Sequence, residues 1–189
     1  MPVTKEQLED RKKELRPDID YDVFKDSYVR YVGYTNEIGE AMRPVIPRLF
    51  VNASYAVAIG YALADTVHKG SLAYKNGQKK DLTPSQCWRL ACDSAGYTAV
   101  WQTLASVVVP PFFIHKMVNF SRYLLRNHTS LPQSTRRWIS VGCGIGIIPL
   151  IIHPIDYSVH WFMENSYNPV SARYLLFDRI EPDRQEEWL

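Results

Sequence analysis

The chain has 189 residues and a mass of 21.9 kDa, enough for one domain or one compact bundle. Its 22 Lys+Arg against 20 Asp+Glu leave a net charge of +2, too weak and too interspersed for a nucleic-acid footprint. With 13% aromatic and 46% hydrophobic residues it is no disordered chain, and a mean hydropathy of −0.24 conceals three stretches nearly bare of charge.

Residues 1–22 read as a polar arm. Met1 to Asp10 carries early acids and no apolar core, so it is neither a secretory signal nor an Arg-rich transit peptide. Any organelle address is expected to be internal. Thr4-Lys5-Glu6-Gln7 has the form of a capping box opening a short helix before Pro17. From Val23 to Arg43 the pattern is helical and gathers Phe24, Tyr28, Tyr31 and Val32 on one side, as an interfacial or docked helix would.

The bare stretches are Leu49–Ala64, Ala95–Ile114 and Trp138–Ile155. A helix needs about 20 apolar residues, and no fewer than roughly 17, to cross a hydrocarbon core. Only the second and third reach that range. Arg43, Arg48, Lys116, Arg136 and Arg137 bracket the runs, and Tyr61, Tyr97, Trp101, Trp138, Tyr157 and Trp161 stand near their ends. That is the positive flank and aromatic belt of a membrane helix. Ser54/Ala58/Ala62, Ala56/Gly60/Ala64, Ser140/Gly144 and Gly142/Gly146 repeat small residues every fourth position, which lets helices approach where lipid gives no burial drive. Gly142, Gly144 and Gly146 are therefore expected at helix contacts. A soluble bundle with three buried helices is the competing reading.

The prolines shape these runs. Pro44 and Pro47 mark a bend before the first, Pro110-Pro111 end or kink the second, and Pro149 kinks the third. A loop is expected from Lys69 to Gln86, with Thr83 or Ser85 capping the next helix. The fold class is thus all-α: a multi-pass helical membrane protein with about three short, Pro-kinked spans plus interfacial helices. Its membrane domain covers 23–166, with spans near 45–64, 95–114 and 138–155, and a tail follows at 167–189. Tyr174, Leu175, Leu176 and Phe177 in that tail are candidate partner contacts.

Chemistry-bearing patterns are few. His153, Asp156 and His160 fall at i, i+3 and i+7, but Pro154 interrupts the set and Asp156 looks like an N-cap. A structural His-Pro-Ile-Asp turn is the better reading. Glu37 and Glu40 lack the repeated Glu-x-x-His of a di-iron site. Glu40 is expected to pair with Arg43, and Glu37 with Arg30 or Asn36. Gly142-x-Gly144-x-Gly146 has the wrong spacing for a dinucleotide loop, and no nucleophile stands beside a His. Asn52 is the candidate functional polar residue inside the first run. Neither catalysis nor a cofactor or metal is expected.

Four segments resemble one family, the mitochondrial fission process protein 1 family, also called mitochondrial 18 kDa protein. They are Asp26–Ala41 (DSYVRYVGYTNEIGEA), Tyr61–Asp65 (YALAD), Trp101–Val107 (WQTLASV) and Ile148–Asp156 (IPLIIHPID), in the family's order and at nearly its spacing. The resemblance implies a non-enzymatic, multi-pass protein of the inner mitochondrial membrane, linked to fission and inner-membrane integrity. It also implies internal targeting without a cleavable presequence. Arg30, Asn36, Glu37, Glu40, His153, Pro154 and Asp156 fall within its motifs as structural or contact positions. The lipid bilayer, with cardiolipin as the anionic lipid, and other inner-membrane proteins are the expected partners. Two other functions compete with a free morphology factor. One is an accessory subunit of a respiratory-chain complex or ATP synthase. The other is a transporter or channel using Asn52 and His153.

Overall fold

The computed structural model describes residues 23–180, with only the backbone described for Lys25, Asp26 and 172–180. The capping box at Thr4–Gln7 lies outside the described residues, and so do the side chains of Tyr174, Leu175, Leu176 and Phe177. Every regular element among the described residues is helical. In chain order they are α1 (Val23–Asp26), a 3₁₀ segment (Tyr28–Tyr34), α2 (Thr35–Ala41), α3 (Arg48–Lys79), α4 (Pro84–Gln102), a π segment (Thr103–Val108), α5 (Val109–His128) and α6 (Gln133–Ile180).

Local chemistry explains most of the boundaries. Ser27 caps the 3₁₀ segment by accepting from the Val29 amide at 3.1 Å. After α2 the chain turns through Met42–Pro47, where Pro44 and Pro47 cannot donate to a continuing helix. Thr83 and Gln86 form a reciprocal capping box at the start of α4. The Gln86 amide donates to Thr83 Oγ1 at 3.4 Å, and the Thr83 amide to Gln86 Oε1 at 3.1 Å. Asp81 takes the left-handed conformation (φ 54°) that closes the preceding turn.

Three expectations need correction. The loop expected from Lys69 to Gln86 is mostly helix, because α3 runs on to Lys79. Gly70 and Gly77, which fall in that expected loop, are contact points instead: a Cβ on Gly70 would meet Ala95 at 3.2 Å, and one on Gly77 would meet Cys87 Sγ at 2.9 Å. Of the two readings of Pro110-Pro111, an end or a kink, the helix does not end there: the prolines open α5 directly after a π segment. Nor is there a turn at His153–Asp156. α6 continues through Pro149 and Pro154, so Asp156 is mid-helix and not an N-cap. Each proline removes one amide donor, which a cooperative helix of 48 residues survives.

The described chain forms two compact units. One contains 23–63 and 100–159. Its apolar centre is Ala41, Ile114 and Val118, with Ile147, Ile148 and Ile151 packed against them. In it α5 and α6 pack antiparallel: a Cβ on Gly144 would meet Val118 Cγ2 at 2.6 Å and Ala41 Cβ at 3.1 Å. The other unit contains 64–99 and 160–180. There the Tyr167 hydroxyl donates to the Asp93 carbonyl at 3.0 Å, and its ring packs edge-on to Tyr97 at 5.6 Å.

Among the described residues two helical stretches, Pro84–His128 and Gln133–Ser171, are long and apolar enough to cross a membrane. α3 does not join them, since its bare run is rich in weakly apolar Ala, Gly, Ser and Tyr and is closed by Asp65. Of the three expected spans, the second and third meet that test by length and composition among the described residues.

Candidate functional site: a buried polar cluster on α2

The sequence Tyr34-Thr35-Asn36-Glu37-Ile38-Gly39-Glu40-Ala41 places four hydrogen-bonding side chains on a helix of seven residues. Asn36, Glu37 and Glu40 are all buried, at 0%, 0% and 3% exposure. Charged groups are rarely buried without partners. The two carboxylates of α2 resolve that conflict in opposite ways.

Glu40 is fully engaged. Arg43 donates to it twice, from Nε at 2.7 Å and Nη2 at 2.5 Å. The Tyr55 hydroxyl of α3 donates at 3.2 Å, and His115 Nδ1 of α5 at 2.5 Å. Asn119 then donates to His115 Nε2 at 2.8 Å, which fixes the Nδ1–H tautomer of the ring. Burial pushes the Glu40 carboxyl up, but the bonds from Arg43 and His115 outweigh it and hold it below the usual range. The result is a clamp that ties α2, α3 and α5 through one carboxylate.

Glu37 has neither carboxylate oxygen hydrogen-bonded among the described residues. Burial, and then the charge of Asp156 on α6, push it up to about 8. It is therefore carried as the neutral acid at pH 7. The expected pairing of Glu37 with Arg30 or Asn36 does not form, because Arg30 lies outside and donates to the Tyr34 hydroxyl at 3.0 Å. Asn36 turns the other way and donates from Nδ2 to the Ser106 carbonyl at 2.8 Å.

Gly39 completes the cluster by lying against α3. A Cβ there would collide with the Ser54 side chain, while Thr35 Oγ1 donates to the Ser54 carbonyl at 3.2 Å. Of the expected site residues, Asn36, Glu37, Glu40 and Asp156 meet at this cluster. Asn52, His153 and Pro154 are exposed and do not join it. Gly144 is packed against α2 and α5, whereas Gly142 and Gly146 face open space. Along α3, Ser54, Ala58 and Ala62 turn inward and Ala56, Gly60 and Ala64 outward.

Sequence reasoning missed Tyr55, His115 and Asn119. The signal available was His115-x-x-x-Asn119, an i, i+4 polar pair on the first turns after Pro110-Pro111. Among the described residues no group of three His, Cys, Asp or Glu stands together as a metal cluster. Among the described residues the ring of His115 is bonded to Glu40 and Asn119, an arrangement that ties helices together beside a protonated acid.

These features define an all-α protein with long apolar helices locked by a small buried polar cluster. The profile of the mitochondrial 18 kDa protein family (MTP18) matches residues 23–163, and the chain belongs to that family. It is 40% identical over 145 residues to mitochondrial fission process protein 1 of Homo sapiens, covering 77% of this chain and 85% of the relative. Against the Caenorhabditis elegans protein of the same name it is 39% identical over 145 residues, covering 77% and 86%. The Danio rerio protein of that name gives 40% over 146 residues, covering 77% and 86%. No solved structure matches the chain.

Proposed function

We propose that the chain is a non-catalytic, multi-pass protein of the mitochondrial inner membrane that acts in fission and inner-membrane organisation through helix–helix and lipid contacts. The observation that carries the reading is family membership across 23–163, with relatives named for the fission process. The membrane part has independent support. Only 33% of the apolar window in Pro84–His128 and 22% of that in Gln133–Ser171 is buried within the protein. A core helix of a water-soluble bundle hides most of its apolar surface. Here Phe112, Phe113, Leu150, Tyr157 and Trp161 each stand at least 49% exposed. Lipid is the solvent that accepts such a face.

The test is replacement in cells lacking the endogenous protein, with alkaline carbonate extraction and measurement of mitochondrial length. The expected result is retention in the membrane pellet and restoration of fission by the wild type but not by a double Asn36→Leu, Glu40→Leu variant. Release by carbonate would remove the membrane reading. An unchanged network in cells without the protein would remove the fission reading.

A further inference from the structure

The turn between α5 and α6 carries an arginine cluster that the polar site on α2 does not use. A cavity of about 470 Å³ is lined by Asn119, Arg122, Tyr123, Arg126, Gln133, Arg136 and Arg137. Arg122 and Arg126 are one turn apart on α5, and Arg136 and Arg137 follow on the first turn of α6. The antiparallel contact of Val118 with Gly144 folds the two pairs towards each other across a connection of only Thr129–Pro132. None of the four guanidiniums has an ion pair among the described residues. Along the sequence, 94–155 contains no Asp or Glu to offset them.

Four like charges around one cavity repel one another, so a stable arrangement calls for anionic groups from outside. Guanidinium forks match phosphate oxygens in bidentate geometry better than any other side chain does. The surroundings select the source of that phosphate. Tyr123 lines the cavity and is 61% exposed, Phe120 and Trp138, 57% and 58% exposed, neighbour the cluster in sequence, and Arg136 and Arg137 stand directly before the third bare run. Aromatic rings around cations at the end of an apolar helix are the pattern of a membrane–water interface.

We propose that Arg122, Arg126, Arg136 and Arg137 form a binding site for the headgroup of an anionic phospholipid carrying two phosphate groups. One phosphodiester would neutralise only one of four cations; two phosphates bridged by a short linker engage both pairs at once. The site rests on the membrane reading above and deepens it, since it names the lipid class that this end of the α5–α6 pair selects.

The experiment uses the purified full-length chain in neutral detergent, with thermal unfolding followed as lipid is added. The probes are cardiolipin, phosphatidylglycerol at equal total charge, phosphatidylcholine and inorganic phosphate. Cardiolipin should raise the midpoint at the lowest concentration, and inorganic phosphate at the same phosphate concentration should leave it unmoved. Arg122→Gln/Arg126→Gln and Arg136→Gln/Arg137→Gln should each weaken the apparent cardiolipin affinity about thirty-fold, the loss expected for two interfacial cations. A Lys79→Gln/Lys80→Gln control should bind as the wild type does.

Equal affinity for phosphatidylglycerol would overturn the two-phosphate assignment. Saturation by inorganic phosphate would overturn the lipid source, and loss in the lysine control would reduce the effect to general surface charge. Either arginine pair binding as the wild type does would overturn the site. Carbonate extraction separates the two readings: a wild-type chain retained in the membrane without lipid selectivity loses only this site, whereas a released chain loses both.

Discussion

Asn36 Nδ2 donates to the carbonyl of Ser106, the one carbonyl in its helix whose next-turn amides belong to Pro110 and Pro111. An α turn would satisfy that oxygen from position 110 and a π turn from position 111, and neither residue has an N–H. The side chain of a separate helix stands in for the missing donor.

Asn36→Leu should therefore destabilise the fold by about 1–3 kcal/mol, the cost of a buried acceptor left unmade. Pro110→Ala restores a backbone donor to Ser106 and should recover part of that loss. Thermal unfolding of the two single variants and the double variant reads the coupling. An equal cost of Asn36→Leu in both backgrounds would show that the amide does not act through this carbonyl.

The neutral acid at Glu37 predicts a pH dependence of definite sign. Its carboxyl is raised from 4.5 to about 8, so the folded state holds a proton that the unfolded state has lost. The stability it contributes is present below 4.5 and declines as pH rises towards 8. Glu37→Gln should flatten the unfolding midpoint across that window and gain most on the alkaline side. A variant that loses stability equally at pH 5 and pH 9 would contradict a protonated Glu37.

Glu40 has the opposite sign. Despite burial, Arg43 and His115 hold it below its usual value, so its contribution is present above 4.5 and lost as pH falls through the lowered value. Glu40→Ala strips Arg43, Tyr55 and His115 of their shared acceptor and should cost about 2–3 kcal/mol at neutral pH. The deficit should shrink in acid. A deficit that persists unchanged at pH 3 would point to lost packing instead.

The three glycines of α6 should respond differently to the same substitution. Gly144→Ala forces Val118 Cγ2, 2.6 Å from the new Cβ, to move and should destabilise by about 1–3 kcal/mol. Gly142→Ala and Gly146→Ala meet open space and should be neutral or stabilising by up to about 1 kcal/mol. Unfolding midpoints of the three variants in one detergent give the comparison.

Much of this architecture was legible in the chain. The helical class followed from the bare runs and their flanks, the Pro44–Pro47 bend from two missing donors, and Thr83 as one of two cap candidates beside Ser85. The Glu40–Arg43 pair was legible because i, i+3 neighbours meet on any helix. His115 and Tyr55 were not, since they lie 75 and 15 residues from Glu40 and only packing brings them there. Gly70 and Gly77 misled for a related reason. A glycine looks the same in sequence whether it breaks a helix or admits a neighbour, and the neighbours are Ala95 and Cys87 of the next helix. Prolines misled too, because a missing amide is harmful only when nothing else reaches the orphaned carbonyl.

The widened turn at Thr103–Val108 has one more effect, on counting. Each α-helical residue advances the face by about 100°, and a π turn holds more residues than that count allows. Residue number and compass bearing therefore part company between α4 and α5. Positions seven apart share a side within either helix but not across the junction. Removing a single residue from Thr103–Val108 would reset that bearing, swinging His115 away from Glu40 while leaving every remaining side chain chemically intact. The local length of this one turn sets which side of α5 is presented to α2.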